Sequence, residues 1–170
     1  MNTPRKEWLQ LFEKELGSAI KKYGFKRTRS HTWEKVRDGI RFIIQVQVDE
    51  PNEPYRINVK YAVFTQPSDP SEDQSILAEA CVGRLTGREN ATYRLPYCFM
   101  FRLRKVGRDV LNDVEATLTW FSKNFGTRKD CLIYLEKNKR HDCASYVEIH
   151  KYLTETMNLA GFSDQKVNEK

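Results

Sequence analysis

The chain is poor in the residues that break or cross-link a fold. Its 170 residues hold only eight glycines and six prolines, below the roughly 12% that ordinary proteins carry together. That excludes a collagenous, linker-like or low-complexity chain. Four cysteines, Cys81, Cys98, Cys131 and Cys143, form no C-x-x-C, so a dithiol redox motif is not expected. No apolar run approaches the roughly 20 residues of a membrane-spanning helix; those around residues 42–44 and 98–101 are only a few residues long. The opening residues, Met-Asn-Thr-Pro-Arg-Lys-Glu-Trp, lack the apolar core of a secretory signal. A reducing, cytoplasmic setting with free thiols is therefore expected. There is no G-x-S-x-G and no Gly-rich phosphate loop.

What is present is enough for a packed core. Hydrophobic residues make up 39% and aromatics 12% of the chain, a length and content that suit one ordinary domain. The expected organisation is a single α+β domain over residues 1–162 and a disordered tail over 163–170. Net charge is +6, unevenly spread. Residues 21–41 carry eight bases against Glu34 and Asp38, and residues 84–108 carry seven against Glu89, whereas 69–79 hold four acids and no base. Two basic blocks point to an anionic partner, either an acidic protein surface or nucleic acid.

Periodicity supplies the elements. Trp8, Phe12, Leu16, Ile20 and Tyr23 recur every three or four residues, which predicts an opening helix capped by Thr3-Pro4 and stopped at Gly24. A polar, one-sided strand carrying Trp33 is expected over 28–36, then a hairpin turn at Asp38-Gly39. Residues 40–49 and 55–64 alternate cleanly. The first turns Ile40, Phe42, Ile44, Val46 and Val48 inward, the second Tyr55, Ile57, Val59, Tyr61 and Val63. Ser71-x-x-Gln74 reads as a capping box for a short helix with Ile76, Leu77, Ala80, Cys81 and Leu85. Residues 92–104 return to period two and predict a fourth strand, with Pro96 marking a bulge or an edge. Helical spacing resumes through Val110, Val114, Leu118, Phe121 and Phe125. A second helix follows a Thr127-x-x-Asp130 cap, and a last one carries Ile149, Leu153 and Met157. The order is α-β-β-β-α-β-α-α-α: a single antiparallel sheet of about four strands with helices packed on one face.

Several of these segments resemble a known family. An opening helix ending in Tyr-Gly-Phe-Lys-Arg (23–27) leads to a Trp-bearing strand, Thr-Trp-Glu-Lys (32–35). An Ile/Gln/Val-rich strand (42–48), Tyr-Arg-Ile-Asn-Val (55–59) and Cys-Val-Gly-Arg-Leu (81–85) follow. Over roughly residues 5–135 the chain resembles the DUF4304 family of bacterial domains. The resemblance implies a bacterial cytoplasmic α+β domain and carries over no catalytic residue.

Chemistry-bearing clusters are few. Cys131, His141, Cys143 and His150 follow C-x9-H-x-C-x6-H, which fits no common zinc spacing, so no metal or other cofactor is expected. A restriction-type nuclease needs an acid on one strand and acid-x-Lys on the next. Asp49 and Asn58-Val59-Lys60 approach that pattern, but an amide stands where the second acid belongs. Strand parity instead places Arg41, Arg56, Lys60, Arg102 and Arg104 opposite the apolar face, on an open basic sheet surface rich in amides. The aromatics point inward, away from any base-stacking role on that surface. The expected function is a non-enzymatic interaction module that binds a protein partner through this face in an immunity-like or accessory role. The alternative is a nucleic-acid-binding accessory protein using the same residues.

Overall fold

The computed structural model describes residues 3–49, 56–65, 76–87, 92–95, 100–137 and 153–154. Helix α1 (Thr3–Lys21) ends as its sequence requires. Gly24 adopts φ +88°, a left-handed conformation that glycine takes without strain. The N–H groups of Tyr23 and Gly24 donate to the carbonyls of Ile20 and Lys21 at 3.0 and 2.9 Å, closing the last turn, and Phe25 behind it is buried.

The sheet is antiparallel and larger than expected. Strands β1 (Lys26–Arg29), β2 (Thr32–Arg37), β3 (Ile40–Asp49), β4 (Arg56–Thr65) and β5 (Ile76–Cys81) pair in chain order, and β6 (Tyr93–Arg94) also pairs with β4. The single strand expected over 28–36 is in fact two, turned at Ser30-His31, with His31 at φ +59°. Asp38 and Gly39 have φ of +51° and +73°, the two positive values that a type I′ hairpin needs. The β3–β4 register runs from Ile40 opposite Thr65 to Asp49 opposite Arg56. It turns Ile40, Phe42, Ile44 and Val46 to the same face as Ile57, Val59, Tyr61 and Val63, all buried.

Two segments depart from the sequence reading. Residues 76–81 form strand β5, and only Val82–Leu85 is helical (α2). A short apolar run fits both periods, and pairing with β4 decides it. The Ser71-x-x-Gln74 box lies outside the described residues. The fourth strand expected over 92–104 shrinks to β6. Helix α3 spans Met100–Asn124, starting ten residues before Val110. Leu103 satisfies period two with the residues before it and period 3.6 with Val106, Val110, Val114, Leu118 and Phe121 after it. The longer pattern, buried at every one of these positions but the partly buried Val106, prevails. Helix α4 (Arg128–Lys137) follows the expected cap: the Thr127 N–H and hydroxyl both donate to Asp130 Oδ2, and the Asp130 N–H donates to Thr127 Oγ1. Of the last expected helix, Leu153 and Thr154 are described, and Leu153 is fully buried. The tail over 163–170 lies outside the described residues.

The helices pack on the face that carries Trp33, Phe42 and Tyr61. Phe121 of α3 lies 5.5 Å from Phe42 and 5.1 Å from Tyr61, ring centre to ring centre. Tyr134 of α4 meets Phe125 at 4.7 Å. Gly17 of α1 sits over the Trp33 indole. Lys22 Nζ donates to Glu115 Oε1 across α1 and α3 at 3.2 Å, and Arg128 Nε donates to the Asp38 carbonyl at 2.7 Å, tying α4 to the β2–β3 turn.

Candidate functional site

With the helices on one face, the other face of the sheet is read row by row from the strand register. At one end Val36, Arg41, Phe64 and Ile76 stand side by side across four strands. The next row is Glu34, Ile43, Ala62 and Glu79, and the third Thr32, Gln45, Lys60 and Cys81. Then come Gln47 with Asn58, and finally Asp49, Arg56 and Arg94. The face therefore grades from an apolar end to an amide-rich, cationic end. Val36 and Ile76 are 55% and 52% exposed. Ile43, Ala62 and Phe64 are half-buried, and Gln47, Arg56 and Arg94 are exposed.

The five basic residues predicted to share this surface divide. Arg41, Arg56 and Lys60 lie on it. Arg102 and Arg104 do not: both are exposed on helix α3 in the other layer, because residues 100–124 are helical and not a strand. Arg94 replaces them, directly opposite Arg56 on β6. Arg41 is not a free cation. Its Nε and Nη2 donate to Glu34 Oε2 at 3.0 and 2.8 Å, and Glu34 Oε1 accepts from the Thr28 hydroxyl at 2.9 Å. Arg56, Lys60 and Arg94 have no carboxylate partner among the described residues. The apolar residues at the far end escaped sequence reading although parity already placed Val36 and Phe64 out of phase with Trp33 and Val63.

The remaining polar chemistry is bound into the fold. Tyr93 OH donates to the buried Asp113 Oδ2 at 2.5 Å. Cys131 is buried in α4, and burial, then the nearby Asp130 charge, push its thiol up to about 12. It is a protonated core side chain at neutral pH, not a nucleophile. His141, Cys143 and His150 lie outside the described residues. The nuclease-like pattern is broken by register: Asp49 stands opposite Arg56, and Asn58 opposite Gln47. Among the described residues no helix is long and apolar enough to cross a membrane. Comparison with protein-family models, curated proteins and solved structures finds no match.

Proposed function

We propose that this protein is a binding module, without catalytic activity of its own, that docks a protein partner on the outer face of its sheet. The observation that carries the reading is the graded face itself. Exposed Val36 and Ile76 flank Arg41 and Phe64 at one end, and at the other Arg56 stands between Arg94 on one neighbouring strand and Asp49 on the other. Like charges directly across a strand pair destabilise a sheet by roughly 0.2–1 kcal/mol. An acidic partner surface relieves that repulsion, while an apolar contact covers the opposite end. Arginine, amides and a small apolar patch are the composition of a protein interface. An accessory or immunity-like role, in which a small domain covers a partner's site, suits this build by analogy of size and architecture.

Photo-cross-linking from within cells tests the reading. A photoreactive residue at Gln47, exposed on the face, should trap a discrete protein, and one at Thr119, exposed on α3, should not. Arg56→Ser with Arg94→Ser should leave stability within about 0.5 kcal/mol of wild type, as exposed charges do, and abolish the Gln47 adduct. Equal adducts from both positions count against the face. Steep salt-dependent binding of random-sequence DNA or RNA, lost in the same double variant, would replace the protein partner with nucleic acid.

A further inference from the structure

At the edge of the sheet, α1 and β1 leave an open groove of about 490 Å³ between them. That volume lies within the roughly 300–1,000 Å³ range of ligand sites. Its floor is aromatic, built from Phe25 and Trp33. Gly17 lets the helix descend onto this floor: a methyl group in its place would stand 3.1 Å from the Trp33 indole nitrogen. The walls are cationic, with Lys14 and Lys21 from α1 and Arg27 from β1; Lys26, opposite Glu34 in the register, belongs to the outer face of the sheet. Glu13 is the one carboxylate among the described lining residues, and both its oxygens are engaged. Oε2 accepts from Arg27 Nη2 at 2.8 Å and Oε1 is hydrogen-bonded to His31 Nδ1. Its side chain is 7% exposed, so it leaves the lysines at the mouth uncompensated. The carbonyls of Ile20 and Lys21, whose partial negative charge opposes an anion, are occupied by the closing turn.

The groove follows the outermost strand. Strand β1 pairs with β2 along one edge and with no described strand along the other, and all four of its residues are exposed. We infer that the groove and the free edge of β1 together bind an extended acidic segment of a protein. The strand edge offers main-chain donors and acceptors to a guest strand. Alternate guest side chains point to one face, so the carboxylates of the guest turn together toward the helix side and meet Lys14 and Lys21 over a floor closed by the buried Phe25 and Trp33. Trp33 is 2% exposed and is no platform for stacking a base, the feature on which single-stranded nucleic acid relies. This site lies at the helix-side edge of the sheet and is independent of the outer-face surface.

The probe is a fluorescein-labelled peptide of alternating glutamate and valine, titrated at low salt onto the full chain. Saturable binding is expected, with a shift of the Trp33 indole N–H resonance and none of that of Trp120. Lys14→Glu with Lys21→Glu should weaken binding at least about tenfold, the scale on which reversed rim charges act. Ser18→Trp, which plugs the groove from an exposed helix position, should do the same. Should the charge reversal unfold the chain, Lys14→Gln with Lys21→Gln removes the charge without reversing it. Arg56→Ser with Arg94→Ser should leave peptide binding unchanged, which separates this site from the outer face. The inference is overturned by the absence of saturable binding, or by binding that survives both groove variants in folded protein. It is equally overturned if a mixed-sequence single-stranded oligonucleotide binds the groove and the peptide does not.

Discussion

Arg41 and Arg56 share one face of neighbouring strands, yet they are in different physical states. Arg41 is 23% exposed and held by two hydrogen bonds to a Glu34 that is 15% exposed. Arg56 is exposed and, although Asp49 stands opposite it in the register, forms no ion pair among the described residues. Arg41→Ser leaves a half-buried carboxylate short of its partner and should cost about 1–3 kcal/mol, less than a fully buried pair because water still reaches it. Arg56→Ser should change stability by less than about 0.5 kcal/mol. Urea denaturation of the two variants checks the contrast, and equal losses would show that the Glu34 pair contributes nothing. Burial acts on titration in the same way. The Cys131 thiol is pushed from 9.0 up to about 12 by burial, and the Tyr61 phenol from 10.0 up to about 12, also by burial. For both groups the folded value lies above the unfolded one. The folded chain therefore holds protons that the unfolded chain has released, and stability falls as pH rises, from 9 toward 12 for the thiol and from 10 for the phenol. Denaturation midpoints should decline across that window, and Cys131→Ala should make the decline shallower. At neutral pH the same substitution should not reduce the number of thiols that a disulfide reagent titrates in folded protein.

The elements show how far a single chain's pattern can be read. β3 and β4 were legible because alternation over ten residues each admits one face only, and Asp38-Gly39 fixed their neighbour's turn. α1 was legible through its stripe and Gly24. β5 was not, because Ile76, Leu77, Ala80 and Cys81 satisfy helical and extended spacing alike, and only pairing with β4 separates them. The start of α3 was hidden by the period-two pattern over 92–104, which Leu103 shares with the helix; Gly107 lies buried inside that helix, where Trp8 and Phe12 cross it. A Cβ at Gly107 would meet Phe12 and Trp8 atoms at 3.7 Å, ordinary contact distance. Gly107→Ala should therefore stabilise by about 0.5–1 kcal/mol, the difference between the two residues in a helix interior. At Gly126 a Cβ would stand 2.6 Å from the Ser122 carbonyl oxygen, so Gly126→Ala should cost about 1–3 kcal/mol as the backbone shifts. Thermal denaturation measures both, and a destabilising Gly107→Ala would contradict the packing of α1 on α3.

Across the whole molecule, both candidate surfaces depend on contacts between distant elements, which is why they were only partly legible. Parity found Arg56 and Lys60 but assigned Arg102 and Arg104 to a strand that is a helix. No local pattern announces Glu13 bridging Arg27 and His31, fourteen and eighteen residues away. What holds these surfaces in place is one contiguous core that joins α1, strands β2 to β6, α3, α4 and Leu153. The three tryptophans sample it at three points. Trp8 stacks on Phe12 beside Gly107, Trp33 lies under α1, and Trp120 packs with Tyr61, Phe121, Phe125 and Tyr134. Because no layer buries its apolar face without the others, we expect the domain to unfold as a unit. Tryptophan emission and far-ultraviolet circular dichroism should then trace the same transition, as cooperative single domains do. Phe42→Ala, which empties the contact with Phe121, should move both curves together by about 3–5 kcal/mol. If emission from Trp120 changed first while the sheet signal held, α3 and α4 would be a separable layer. The outer sheet face would then owe its shape to α1 and the strands alone.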